Sequence, residues 1–342
     1  MLNSETQNSG PAIGPTSSQI IEVFTLAQSG LVAVEDRLLS CFRSDAPELT
    51  TISTYLMQQG GKRIRPVLAL LSARLFGMNE PSTALVDVAA GIELIHMATL
   101  LHDDIIDESP VRRHKRSAYL EFGLPPSLLT GDFLLVRAFG LCALLDDFVV
   151  QRTEQACVEL VEGEILEGKL TPSNPASFPH YLNVVSKKTA SLFALACELG
   201  GHQAGVDAQT KATLREFGLN AGIAFQMVDD ILDITADEDL LGKPSGTDLK
   251  QRSPSLVNIL WLASGDKRAA DFFAIETSTL VESQSARDYL RTSEILGAAR
   301  HQATEYAKQA SEALLSLSDR IVDQVTMRRM LSLVEYTLNR CL

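Results

Sequence analysis

At 342 residues and 45% hydrophobic content, the chain is long enough for one large or two ordinary domains and carries ample material for a buried core. Its 43 acidic against 30 basic residues leave a net charge of −13, which argues against nucleic acid or an anionic membrane as the main partner; an anionic ligand would need metal ions and local basic patches. The cysteines at 41, 142, 157, 197 and 341 form no Cys-x-x-Cys pair, so they are expected to be free, buried thiols of a reducing compartment.

Residues 1–18 are rich in Ser, Thr, Gly, Pro and Asn, and no Lys or Arg precedes Arg37. This stretch is expected to be a disordered tail, unsuited to a secretory signal or a mitochondrial presequence. No uninterrupted apolar run approaches the length of a membrane span, and a cytoplasmic location is expected. From 19 to 342, apolar residues recur at spacings of three and four, as in Ile92, Ile95, His96, Thr99 and Leu100. Alternating β-type runs are scarce. Breakers fall at Gly60-Gly61, Gly77 to Pro81, Ser109-Pro110, Gly123 to Pro126, Thr171 to Pro179, Gly200 to Gly205 and Gly242 to Gly246. About ten helices are predicted, with no break long enough to separate two domains. The expected fold is all-α, a single large bundle with sites between facing helices.

In chain order, the first chemical signal is Gly60-Gly61-Lys62-Arg63-Ile64-Arg65-Pro66, where glycines permit close backbone approach to an anion and the basic side chains suit phosphate. His96, Leu100, Asp103 and Asp107 follow on one helical stripe. A lone His there would ordinarily be a satisfied core residue, but its alignment with acids makes it a candidate ligand. Asp103-Asp104-Ile105-Ile106-Asp107 recurs as Asp229-Asp230-Ile231-Leu232-Asp233, each copy inside an apolar, helix-like stretch. A solvated acidic face is the plain alternative. Two carboxylates about 6 Å apart repel by roughly 3 kcal/mol at an effective dielectric near 20, and a divalent cation relieves this. Oxygen ligands without Cys or a His pair favour Mg²⁺. Arg112-Arg113 and Lys187-Lys188-Thr189 add basic clusters, ordinary in isolation, as is Lys243. Asp146-Asp147 lacks a third Asp, since Val150 stands there, and is read as surface.

Taken in order, the segments at 60–66, 93–104, 131–135 (Gly-Asp-Phe-Leu-Leu), 162–164 (Glu-Gly-Glu), 188–190, 224–233 and 242–244 (Gly-Lys-Pro) closely resemble the trans-isoprenyl diphosphate synthases, also called the polyprenyl synthetase family. The resemblance spans nearly the whole chain. It implies the isoprenoid-synthase bundle around a central cavity, and condensation of isopentenyl diphosphate with an allylic diphosphate by ionisation of the latter. It further implies three Mg²⁺ ions held mainly by Asp103, Asp107 and Asp229, with Asp104, Asp230 and Asp233 supporting. Lys62, Arg65, His96 and Arg113 would bind isopentenyl diphosphate; Arg112, Lys188 and Lys243 would contact the allylic diphosphate; Thr189 and Gln226 would line the reacting centre. In the family the departed diphosphate is thought to take the proton, so no side-chain base is required. A homodimer is implied, with no interface visible in the sequence.

Small residues at Ala98 and Thr99, just before the first acid motif, leave the product path unblocked where short-chain members carry bulky aromatics. A product of at least four isoprene units, and more often six to ten, is expected. Two departures stand out. Arg112-Arg113-His114-Lys115-Arg116-Ser117 replaces the usual Arg-Arg-Gly-x-Pro-Thr, so a less tightly turned loop is expected. Ser253 stands where a second diphosphate-binding Lys is common, with Arg252 as the candidate substitute. Three alternatives therefore stay open: a shorter-chain geranylgeranyl or farnesyl diphosphate synthase, a partner-dependent subunit of a heteromeric synthase, and a class I terpene cyclase or head-to-head synthase.

Overall fold

Helices start where a short polar side chain can take up a free backbone amide. Ser82 accepts from Leu85 N at 3.1 Å, Asp146 from Val149 N at 3.0 Å and Asp207 from Thr210 N at 2.7 Å. Each such cap stabilises its helix by about 1 kcal/mol. The computed structural model describes residues 17–171, 176–236, 245–275 and 279–340. Among them are seventeen α-helices, more than the ten or so predicted, and several are short, such as Ala118–Phe122 and Thr247–Gln251. In chain order they are α1 (Ser17–Leu26), α2 (Gln28–Cys41), α3 (Pro47–Gln58), α4 (Ile64–Arg74), α5 (Thr83–Ile106), α6 (Ala118–Phe122), α7 (Leu124–Cys142), α8 (Asp147–Glu167), α9 (Phe178–Val185), α10 (Ser191–Gln203), α11 (Ala208–Thr235), α12 (Thr247–Gln251), α13 (Leu256–Ala263), α14 (Lys267–Ala274), α15 (Leu280–Arg291), α16 (Glu294–Leu315) and α17 (Gln324–Asn339). A π-turn, Ser186–Ala190, joins α9 to α10. The one sheet among the described residues is a hairpin, β1 (Val111–Arg112) against β2 (Lys115–Arg116).

Two long helices, α5 with 24 residues and α11 with 28, form the centre. α5 packs on α2, α4, α7 and α10; α11 packs on α10, α16, α17 and the π-turn. Leu214, Phe217 and Ala224 of α11 belong to one hydrophobic core, while Met227, Val228, Ile231 and Ile234 of the same helix belong to a second. One helix thus runs through both cores and ties them together. α5 is also long and apolar enough to cross a membrane, and its apolar character is used inside the protein, with 78% of that window buried.

Gly200-Gly201, a breaker by composition, is helical and lies within α10. A methyl on Gly200 would sit 2.3 Å from the Ala69 carbonyl oxygen, and one on Gly201 would sit 2.3 Å from Leu214 Cδ1. These glycines let α10 touch α4 and α11 rather than end the helix. Asp146 and Asp147 are exposed, as expected. Cys41, Cys142 and Cys197 are buried free thiols and Cys157 is half-buried. Of the expected tail at 1–18, Ser17 and Ser18 instead begin α1, and residues 1–16 lie outside the described residues, as do Cys341 and Lys243 with its Gly-Lys-Pro segment.

Candidate active site

The ends of α4, α5 and α11, the hairpin, the π-turn and the last turns of α17 enclose a cavity of about 990 Å³. Lys62, Arg65, His96, Arg112, Arg113, Lys188, Thr189, Gln226, Asp103, Asp229 and Thr99 all line it. Residues singled out by their chemistry, on segments far apart in the chain, therefore converge on one chamber.

The cationic wall begins at the turn before α4. Gly60 and Gly61 have φ of +84° and +147°, and a side chain on Gly61 would strike Arg113 Nη1 at 2.8 Å. Arg63 caps α4 in the left-handed region at φ 48°. Its buried guanidinium is structural, donating to Glu93 Oε1 at 3.0 Å and Met57 O at 3.3 Å. Arg65 lies over the Phe193 ring at 4.9 Å, and desolvation pulls it down to about 10. His96 is held well below its ordinary value by burial first, then by Arg65, Arg113, Arg112 and Arg63, so it is a neutral imidazole able to donate one N–H. Lys62 rests over Tyr336 of α17 at 5.2 Å.

The hairpin corrects the expectation of a looser loop. Arg113 and His114 both adopt positive φ, 50° and 64°, and close a two-residue turn between Arg112 and Lys115. This costs roughly 1–2 kcal/mol per non-glycine residue. The anchor offsetting it is Arg112, which donates Nε and Nη2 to Asp104 Oδ1 at 2.8 and 2.7 Å, with the Asp104 side chain 3% exposed. Asp104 is accordingly a bracket for Arg112 and does not line the cavity.

Asp103 does line it, and its carboxyl is raised to about 7, by burial first and then by Glu164 and Asp107 against the pull of Lys188 and Arg112. Asp107 caps the end of α5 and is exposed; it does not line the cavity, and Gln251 Nε2 of α12 reaches its carbonyl at 3.3 Å. The π-turn presents Lys188, which meets Glu164 at 2.8 Å and pairs with Glu167. Gly163 makes room for this, since a methyl there would sit 2.7 Å from Lys188 N. π-turns of this kind recur at functional sites.

The second acid motif divides its work differently. Asp229 faces the cavity and accepts from Arg340 at 3.1 Å. Asp230 is buried and takes Tyr181 Oη and Leu256 N on Oδ2, both at 2.8 Å, and Gln226 Nε2 on Oδ1 at 2.9 Å. Gln226 in turn accepts from Thr189 Oγ1 at 2.9 Å, so its amide is oriented from both ends. Asp233 accepts from the backbone amides of Thr247 and Asp248. Asp104, Asp230 and Asp233, expected in a supporting metal role, are all buried, bonded to protein donors and absent from the cavity lining. Arg287 and Arg291 donate to the carbonyls of Ile234 and Thr235 and fix the end of α11.

Two further expectations change. Ala98 is fully buried and does not line the cavity, whereas Thr99, about 100° further round α5, does. Arg252 does not replace the missing Lys. At φ 58° its guanidinium turns into the core, donates to Phe272 O at 3.0 Å and stacks near Phe272 and Phe273. Sequence patterns give no role to Glu93, Glu167, Tyr336 or Arg340. The i, i+3 spacing of Glu164 and Glu167 is a usable signal; nothing in the sequence ties Arg340 to Asp229.

An all-α bundle that brings two acid motifs and a cationic wall to one chamber defines the isoprenoid-synthase class of enzymes. Residues 46–289 match the family model described as polyprenyl synthetase. The chain is 36% identical over 324 residues to the nonaprenyl diphosphate synthase of Mycobacterium tuberculosis, covering 93% of this chain and 95% of that one. It is 33% identical over 293 residues to the geranylgeranyl diphosphate synthase of Methanosarcina mazei, covering 84% and 89%. It is also similar to a crystal structure of polyprenyl synthase from Caulobacter crescentus complexed with calcium and isoprenyl diphosphate, with TM-score 0.89, 32% identity and coverage of 97% and 100%. The protein belongs to the polyprenyl synthetase family, the trans-isoprenyl diphosphate synthases, and is a prenyl-transferring enzyme.

Proposed function

We propose that the protein condenses isopentenyl diphosphate with an allylic diphosphate, head to tail, to give a polyprenyl diphosphate of at least four isoprene units and more often six to ten. The observation that carries this reading is the meeting of Asp103 and Asp229 in one chamber with Lys62, Arg65, His96 and Arg113. Such a chamber offers a cation-dependent diphosphate site on one side and a purely side-chain diphosphate site on the other.

The oxygen donors fit Mg²⁺. Asp103 is raised by burial and neighbouring carboxylates, and Asp229 already draws a guanidinium, both signs of negative charge in want of a cation. Mg²⁺ ions held by Asp103, Asp107 and Asp229 would neutralise the charge that builds on the departing diphosphate. Around that charge, Lys188 and Arg112 orient the allylic diphosphate, interactions that strengthen as the C–O bond breaks. Lys62, Arg65 and Arg113 hold the second diphosphate, with neutral His96 as an N–H donor. Gln226, its amide held between Thr189 and Asp230, lines the reacting region together with Thr189. Phe193, Phe217, Phe225 and Leu68 keep the chamber apolar, protecting the allylic cation from water.

Incubation with isopentenyl diphosphate and dimethylallyl, geranyl or farnesyl diphosphate, with products sized by mass spectrometry, tests the reading. A ladder that a chelator abolishes is expected; binding of the diphosphates without turnover would favour the partner-dependent subunit. Thr99→Phe should shorten the longest product. An unchanged distribution would remove Thr99 from the product path.

Residues 19–342 are proposed to work as one catalytic domain in a homodimer. Val136 (68% exposed) on α7 and Val161 (66%) and Ile165 (81%) on α8 leave an apolar surface that a second copy would cover. Val136→Lys with Ile165→Lys should halve the mass in sedimentation; an unchanged mass would place the interface elsewhere. The buried free thiols support a reducing, cytoplasmic setting.

A further inference from the structure

Asp229 is the carboxylate of the second acid motif that lines the cavity, and the cation meeting it comes from the far end of the chain. Arg340 follows the last residue of α17 as its C-cap. Its Nη1 lies 3.1 Å from Asp229 Oδ1, and its guanidinium carbon lies 5.7 Å from the centre of the Phe225 ring. Both side chains are about a third exposed, at 32% and 38%. Tyr336 and Thr337 of α17 line the same wall, and Lys62 rests on Tyr336. The cavity end of α17 is therefore fastened by two cationic contacts, one of which uses an oxygen of Asp229.

We infer that Arg340 is a positioning latch: it holds Asp229 when no divalent cation is bound, must be displaced when one binds there, and by leaving frees the end of α17. The inference rests on the reading of Asp229 as a metal ligand. A guanidinium and a divalent cation cannot both sit against one carboxylate oxygen without repelling each other. The pair is partly solvated, and exposed ion pairs of this kind are weak, so displacement costs little. Linkage then makes the effect reciprocal. Whatever strengthens the Arg340–Asp229 contact weakens cation binding by the same factor, and cation binding loosens α17 equally. Once released, Arg340 stands beside the diphosphate-binding wall with its charge uncommitted. The latch thereby couples loading of the cation site to the freedom of the helix that closes the chamber.

Mn²⁺ titrated into the full-length, substrate-free protein, with free Mn²⁺ read by electron paramagnetic resonance, tests the latch apart from activity. Arg340→Gln should bind Mn²⁺ about two- to fivefold more tightly than the wild type, the factor expected for removing an exposed ion pair. Arg340→Lys should stay near the wild-type value. Unchanged or weaker binding by Arg340→Gln overturns the latch. In the wild-type protein, amide hydrogen exchange over 324–339 should quicken when Mn²⁺ is added; slower or unchanged exchange there would also overturn it. Asp229→Asn separates the two claims. If it binds Mn²⁺ as the wild type does, the metal-ligand reading itself fails and takes the latch with it; if it binds weakly while Arg340→Gln shows no gain, the latch alone fails.

Discussion

The two acid motifs share a five-residue pattern but are used differently. In the first, Asp103 lines the cavity, Asp107 is exposed at the end of α5, and Asp104 is committed to Arg112. In the second, Asp229 alone faces the chamber, while Asp230 and Asp233 hold the amides of Leu256, Thr247 and Asp248. The first motif forms the last turn and cap of its helix, so its final carboxylate, Asp107, is exposed at the helix end. The second lies where α11 passes beneath the α12–α13 segment, whose amides would otherwise be buried without partners. Repetition in sequence thus signals a shared cation chemistry, whereas surroundings decide which carboxylates supply it.

Substitutions can break this contrast, beginning with the largest effect. Asp103→Asn and Asp229→Asn should each lower the elongation rate by about 10²–10³-fold with folding intact, as expected for loss of a main electrostatic contributor. If Asp104→Asn or Asp233→Asn lost as much activity at unchanged stability, the division between cavity-facing and structural carboxylates would be wrong. Asp230→Asn should instead act on stability, by about 1–3 kcal/mol, because the amide cannot satisfy Tyr181, Leu256 and Gln226 at once. Denaturant midpoints would show it; a stable but inactive Asp230→Asn protein would return Asp230 to the metal site.

Smaller effects sharpen the comparison. Asp104→Asn frees Arg112 from its bracket, so the KM for the allylic substrate should rise several-fold while that for isopentenyl diphosphate holds. Equal rises in both would show a general distortion of the hairpin. At the lower end, Ser253→Lys adds back a cation beyond the second motif, and the allylic KM should fall about two- to threefold, the effect of one solvated charge contact. No change would mean that Ser253 does not face the diphosphate, as its neighbour Arg252 does not.

Much of the candidate site is legible in the amino-acid sequence. The acid motifs, the glycine-rich basic turn and His96 stand out because their chemistry is local: each needs a residue type at a helical or turn spacing. Ala98 and Thr99 can be named as a pair but not told apart, because one residue of helix rotation sends one into the core and the other to the wall. Arg252 is plausible by charge, but its left-handed backbone and its contacts with Phe272 and Phe273 of α14 appear only in the folded chain. Gly200-Gly201 reads as a break because glycine weakens helices, yet here the same lack of a side chain permits close helix contact.

Helical periodicity and charge repulsion act over a few residues, so the amino-acid order alone dictates an all-α chain with two cation-seeking carboxylate clusters and matching basic turns. Tertiary packing settles which carboxylate of each cluster faces the chamber, that Glu164 and Glu167 hold Lys188, and that Arg340 meets Asp229. Those ion pairs join residues 21 to 111 positions apart, and only the packing of whole helices brings such side chains within hydrogen-bonding distance.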